Sequence, residues 1–116
     1  MNGYILLSHG SKVKASNDAN KMILEKLRSK IEHIELAFLE LSEPGFEDAI
    51  QNLISSNVDH ITVLPLFLAP GKHVMQDVPL LASNFAKKYA IDITLLEHIG
   101  ANDEYVKMIE NILLLH

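Results

Sequence analysis

Four short runs of apolar and β-branched residues punctuate the chain, at positions 4–7, 34–39, 61–68 and 91–96. They have strand length and no helical period. Each is followed by a stretch in which apolar positions recur every three or four residues, tracing one face of a helix. After the first run these positions are Ala15, Ala19, Met22, Ile23, Leu27 and Ile31; after the second, Ala49, Ile50, Leu53, Ile54 and Val58. The third run leads to Val78, Leu81, Ala82, Phe85 and Tyr89, and the fourth to Tyr105, Ile109, Ile112 and Leu113. Pro44-Gly45 breaks the second strand and opens a helix, Asp77 reads as an N-cap with Pro79 near the first helical position, and Asn102 or Asp103 caps the last helix. Lys87 and Lys88 suit the C-terminal dipole of the third helix. Strict strand–helix alternation with right-handed crossovers predicts an α/β fold, a four-stranded parallel sheet with helices on both faces, in a single domain over residues 1–116.

Composition narrows the partners. The 48% of hydrophobic residues are enough for a core. A net charge of −5, with Arg28 the only arginine, offers no clustered basic face for nucleic acid. Without cysteine there is neither a disulfide framework nor a thiolate metal site, so a metal must be held by nitrogen and oxygen. The first apolar run follows no basic segment and is too short for a signal peptide or a membrane span. The chain reads as a cytoplasmic protein with neither nucleic acid nor membrane as partner.

Open α/β sheets bind ligands at the carboxyl ends of their strands. His9, Glu40, Glu43, His73, Glu97 and His98 fall on that edge, whereas His33, His60 and His116 lie elsewhere. The stretch 60–79, HITVLPLFLAPGKHVMQDVP, reads as a buried strand, a turn at Pro70-Gly71 where glycine bends the backbone without steric cost, and His73 two residues on. His9 takes the corresponding place after the first strand, in Ser8-His9-Gly10-Ser11. Two neutral imidazoles and a carboxylate suit a divalent first-row ion such as Co²⁺, Ni²⁺, Zn²⁺ or Fe²⁺, with little selection among them. Each residue also has an ordinary explanation, since loop histidines bond to backbone and acidic residues before helices cap them.

Three segments together are more specific than any single residue: Ser8-His9-Gly10-Ser11 after the first strand, Phe38-Leu39-Glu40 with Glu43-Pro44 shortly after, and the run from Pro65 to Pro79. They resemble the short-form CbiX-type sirohydrochlorin chelatases. The resemblance implies a class II chelatase half-domain that pairs as a homodimer around a tetrapyrrole cleft above the sheet edge. A divalent metal would be a substrate, with no organic cofactor. Carried over residue by residue, it assigns metal binding and catalysis to His9 and His73, and substrate contacts to Ser8, Gly10, Glu40, Gly71 and Lys72. Glu40 is the acidic residue nearest the family's strand-end glutamate. Lys12, Lys72 and the N–H groups at helix N-termini are the groups to receive the carboxylates of sirohydrochlorin.

The implied reaction is insertion of Co²⁺ for cobalamin synthesis. Insertion of Ni²⁺ or Fe²⁺ into the same ring, for the methanogen nickel cofactor or sirohaem, and a non-catalytic metal or tetrapyrrole carrier are the alternatives. The chain departs from the family's pattern at Leu96-Glu97-His98-Ile99-Gly100, where relatives more often carry proline-leucine-glycine. Histidine phosphatases also place a histidine and a glycine after the first strand, but they surround phosphate with several arginines, and Arg28 lies within the first helix. An α/β interaction module with incidental histidines is the remaining reading.

Overall fold

Residues 1–116 are described by a computed structural model. The elements, in chain order, are β1 (Asn2–Ser8), α1 (Lys14–Arg28), β2 (Ile34–Phe38), α2 (Phe46–Ser55), β3 (His60–Pro65), α3 (Lys72–Tyr89) and β4 (Asp92–Leu95), then a 3-10 turn (Ile99–Ala101) and α4 (Asp103–Leu114). The four strands form one parallel sheet in the order β2-β1-β3-β4, as the alternation predicts.

This order determines the layers. The chain moves one way from β1 to β2 and the opposite way from β2 to β3 and on to β4, so right-handed crossovers put α1 on one face and α2 and α3 on the other. Side chains alternate accordingly. Ile5, Leu7, Ala37, Ile61 and Val63 meet Phe46, Ala49, Ile50 and Leu53 of α2 and Val78 and Ala82 of α3 in the larger core. Leu6, Ile34, Leu36 and Phe38 meet Leu24 of α1 in a smaller one, with Leu64 and Leu66 at its margin. Phe46 and Phe85 stack edge to face, 5.5 Å between centroids, where α2 meets α3.

Two boundaries and one helix face differ from the sequence reading. The apolar run at 61–68 leaves the sheet at Pro65, opposite Leu7; Leu66 N–H makes one last bond to Leu7 O at 2.8 Å and the rest becomes loop. Helix α3 begins at Lys72, with Gly71 as its N-cap, so Asp77 and Pro79 lie inside the helix rather than at its start. Pro79 and Met75, whose carbonyl loses its helical partner, are both exposed, and there the helix runs through the proline. Helix α1 turns only part of the expected face to the sheet, since Leu27, with Ile31 just past the helix, packs against the smaller core. Ala15, Ala19, Met22 and Ile23 are exposed, while Asn17 and Leu24 are buried. No helix is long and apolar enough to cross a membrane.

Candidate active site at the carboxyl edge of the sheet

The loops after β1 and β3 leave adjacent strands toward opposite faces, α1 on one side and α3 on the other, which opens a crevice between them at the topological switch point. His9, directly after β1, faces Phe67, Leu68, Ala69, Pro70, Gly71 and Val74 across a shallow depression. The two loops that sequence reasoning joined in one site therefore do meet.

His9 is held by its neighbours. Leu39 donates its N–H to Ser8 O at 2.9 Å and Glu40 donates to His9 O at 3.1 Å, extending the β1–β2 pairing past the strand ends. Gly10 has φ +95°, and a Cβ there would lie 1.8 Å from the Glu40 carbonyl oxygen, so only glycine lets the two loops close this tightly. The result sets His9 Nε2 3.5 Å from Glu40 Oε1, with both side chains about half exposed. His9 Nδ1 lies 3.3 Å from Gly10 O. In the tautomer whose Nδ1 donates to that carbonyl, Nε2 keeps its lone pair and turns it toward Glu40. Nε2 and Oε1 then form a two-atom seat for one cation or one proton.

Behind this pair the loop is tied to α1. The Asn17 side chain accepts from Ser11 N–H at 3.1 Å and donates to Ser11 O at 2.8 Å, and Asn20 donates to the buried Ser8 hydroxyl at 2.9 Å. Sequence reasoning passed over both asparagines. The signal was there: two amides in the first half of the helix, one of them on the face that must be buried.

His73 is exposed in the first turn of α3 and lines neither this depression nor the cleft beyond it; its chain neighbour Val74 does. Lys72 and Gly71 are exposed beside it. Gly71 is in ordinary extended backbone and has open space where a Cβ would go, so its role is to cap α3 and not to make a turn that demands glycine. A second cleft, about 340 Å³, lies beyond the same loop and is lined by Phe67, Val74, Met75, Val78, Glu97 and His98 among others. Gly100 closes its end. Its N–H donates to Phe67 O at 3.0 Å, and a Cβ there would lie 1.9 Å from the Leu68 carbonyl oxygen. Of the residues that the sequence put on this edge, Glu40, Glu43 and His73 line neither cavity, whereas Glu97 and His98 line the second.

No three histidine, aspartate or glutamate side chains of one chain gather into a closed metal cage. The edge instead offers the His9–Glu40 pair beside the depression, His98 in the apolar cleft and His73 exposed on the first turn of α3. Helices α1 and α3, whose N-termini rise at this edge, have no side-chain cap and no acidic residue in their first turns, whereas α2 and α4 begin with Glu47-Asp48 and Asp103-Glu104. Their free N–H groups and positive dipole ends favour anionic groups over the crevice.

Comparison with known proteins shows the family and the fold. Residues 3–113 match the family described as CbiX. The sirohydrochlorin cobaltochelatase of Sulfurisphaera tokodaii is 30% identical over 110 residues, 95% of this chain and 89% of that protein. Among solved structures, a putative cobalamin biosynthesis CbiX protein from Marinobacter aquaeolei superposes with a TM-score of 0.88 at 30% identity, covering 97% of this chain and 94% of that one. The sirohydrochlorin chelatase SirB from Bacillus subtilis subspecies spizizenii, in complex with cobalt, superposes with a TM-score of 0.81 at 29% identity. This alignment covers 95% of this chain but 48% of SirB. A structure of Bacillus subtilis SirB with Fe³⁺ gives 0.80 at 28% identity, over 95% of this chain and 45% of that one.

Proposed function

The chain belongs to the CbiX family, and from that premise we propose that it is a sirohydrochlorin chelatase that inserts Co²⁺ into the free-base ring for cobalamin synthesis. The observation that supports this best is the crevice between the loops after β1 and β3. It has His9 and Glu40 3.5 Å apart on one bank and the loop leading to His73 on the other.

The reaction replaces two pyrrole N–H protons by one divalent ion, so two protons leave as two ring nitrogens gain a bond to the metal. His9 and His73 bind the incoming ion through neutral imidazole nitrogens, displacing part of its water, and accept protons as the ring takes it over. Glu40, beside His9, steadies the ion before transfer and the imidazolium after it. An open half-site suits an ion that is a substrate, because a closed cage of three or four ligands would retain it. Lys12, Lys72 and the uncapped N-termini of α1 and α3 receive the ring's carboxylates, with Ser8, Gly10 and Gly71 shaping the rim. The ring lies across the apolar cleft toward His98. One chain supplies half of a macrocycle cleft, and two copies complete it in a cytoplasmic homodimer. Imidazole and carboxylate ligands accept iron as well as cobalt, and iron insertion is the second reading, favoured by the SirB structure with Fe³⁺.

Absorbance of sirohydrochlorin mixed with Co²⁺, Ni²⁺ or Fe²⁺, with and without protein, tests the proposal. Faster metallation is expected, greatest with Co²⁺, and His73→Ala should slow it about 100-fold or more with the fold intact. Binding spectra without faster metallation would make the protein a carrier. Undiminished activity in His73→Ala would remove that residue from the mechanism.

A further inference from the structure

The inward stripe of α1 begins with two amides. Asn17, Asn20, Leu24, Leu27 and, just past the helix, Ile31 recur at the alternating three- and four-residue spacing of one helix face. The last three pack on the smaller core, while the first two meet the loop that carries His9. Asn17 is only 8% exposed. A buried amide is tolerated where its polar atoms are paired, and the atoms that pair with these two belong to the residues around His9.

Together they hold that loop at both ends. Asn20 donates to the Ser8 hydroxyl at 2.9 Å, just before His9, and Asn17 grips Ser11, accepting from its N–H at 3.1 Å and donating to its carbonyl at 2.8 Å. The bond from the Ser11 N–H reaches further than Ser11. That N–H and the Gly10 C=O belong to one planar trans peptide unit and point to opposite sides of it, so an acceptor fixed on the first also fixes the direction of the second. Glycine tolerates either orientation of the peptide that follows it, so backbone preference at Gly10 does not hold this one. The Gly10 oxygen is the one that lies 3.3 Å from His9 Nδ1. A carbonyl can only accept, so the contact is a hydrogen bond when Nδ1 carries the proton of the neutral ring. Nε2, 3.5 Å from Glu40 Oε1, is then the nitrogen with the lone pair.

We infer that Asn17 is a positioning residue that selects the tautomer of His9: it holds the Gly10–Ser11 peptide with its carbonyl on Nδ1 and so leaves Nε2 free for the incoming cation. This deepens the reading of His9 as a metal ligand and rests on it. Asn17 acts through one peptide unit and not on the ion itself. In the opposite tautomer Nε2 would carry the proton and turn it toward Glu40 Oε1, closing with a hydrogen bond the seat that the pair offers to a cation. A partner that takes the second N–H of a ligating imidazole contributes about 10- to 100-fold to metal affinity or activity. Here that partner is a backbone carbonyl next to a glycine, and a carbonyl so placed needs an anchor of its own.

The tautomer is read from the ring-nitrogen NMR shifts of His9 in the isotope-labelled full chain, without metal and at a pH above the ordinary imidazole range, with His9→Gln assigning the signals. The unmodified chain is expected to carry the proton on Nδ1. Asn17→Ala removes the grip, as does Asn17→Leu, which continues the stripe of Leu24 and Leu27. Each should move the proton to Nε2, the form imidazole favours in water, and slow Co²⁺ insertion about 10- to 100-fold while the amides of the core strands stay protected from exchange. Asn17→Asp, which leaves an acceptor for the Ser11 N–H, should keep the Nδ1–H form and most of the rate. A proton on Nε2 in the unmodified chain would overturn the inference, as would a tautomer that survives both amide-free variants or is lost in Asn17→Asp. A slower rate with the tautomer unchanged would mean that Asn17 serves the fold alone, and would overturn it too. If the unmodified chain inserts no metal, the chelatase reading fails, while the tautomer, measured without metal or ring, still decides what Asn17 does to His9.

Discussion

His9 is placed by atoms that are not its own, and Gly10 matters most among them. Replacing it with alanine asks an L residue to adopt φ +95° and drives a Cβ into the Glu40 carbonyl at 1.8 Å. The loops after β1 and β2 must separate, losing the Glu40 N–H to His9 O bond. A cost of about 2 to 3 kcal/mol is expected, read as a fall in Tm of roughly 10 °C. A Gly10→Ala variant that melts like the unmodified protein would show the loops to be slack. The His9–Gly10 pair was legible in the sequence as a loop residue and a flexible neighbour. Its closeness to Glu40 was not, because the carboxylate lies 31 positions away and only the parallel pairing of β1 with β2 brings it alongside. Asn17 shows the opposite failure. As a polar residue it was left off the apolar face of α1, of which Leu27 and Ile31 do pack on the smaller core while Ala15, Ala19, Met22 and Ile23 are exposed; its two bonds to Ser11 are what make its burial tolerable.

Between elements, α2 and α3 are fastened outside the core by a small polar cluster. Lys88 Nζ and the Tyr89 hydroxyl each donate to Glu47 Oε2 at 2.6 Å, and Gln51 donates to the Tyr89 oxygen at 2.8 Å. The hydrogen bond from Lys88, then that from Tyr89, holds the Glu47 carboxyl below the ordinary carboxylate range, and the hydrogen bond to Glu47 raises Lys88 above the usual lysine value. A carboxyl with a lowered folded value contributes stability that is fully present above its unfolded value and is lost as pH falls through the folded one. A raised ammonium loses its share only as pH climbs through its own folded value. The fastening therefore acts across the neutral range and fails at both extremes. Glu47→Gln should lower Tm modestly at pH 7, as befits a solvent-exposed cluster, and the gap should narrow as pH falls below the ordinary carboxylate range. A gap that stays constant through acid pH would mean that Glu47 acts through packing and not charge. Helix α3 also shows where local signals compete. Asp77-Val78-Pro79 has the residues of a helix start, but Pro70-Gly71 comes first. Once the helix has begun at Lys72 a single proline at an exposed position does not stop it. His73 is thereby carried on a helix turn and not on a loop, which gives it a firmer base.

For the whole molecule the question is how a four-stranded sheet whose last helix buries none of its residues becomes stable. If two copies associate as proposed, folding and association are linked, and Tm should rise by several degrees between low and high micromolar protein. A Tm independent of concentration over that range would point to a chain stable alone. The sequence by itself determined the number and order of strands and helices, the parallel sheet, and the gathering of His9, Glu40, His73 and His98 on one edge, because hydrophobic periodicity and the handedness of crossovers are local rules that repeat along a chain. Only the tertiary structure decided which face α1 buries, that Glu40 stands 3.5 Å from His9 while Glu43 stays outside both cavities, and that α4 finds no place on its own sheet. Those outcomes depend on strand neighbours and on two glycines pressed against distant carbonyls, and a contact between positions far apart leaves no period to read.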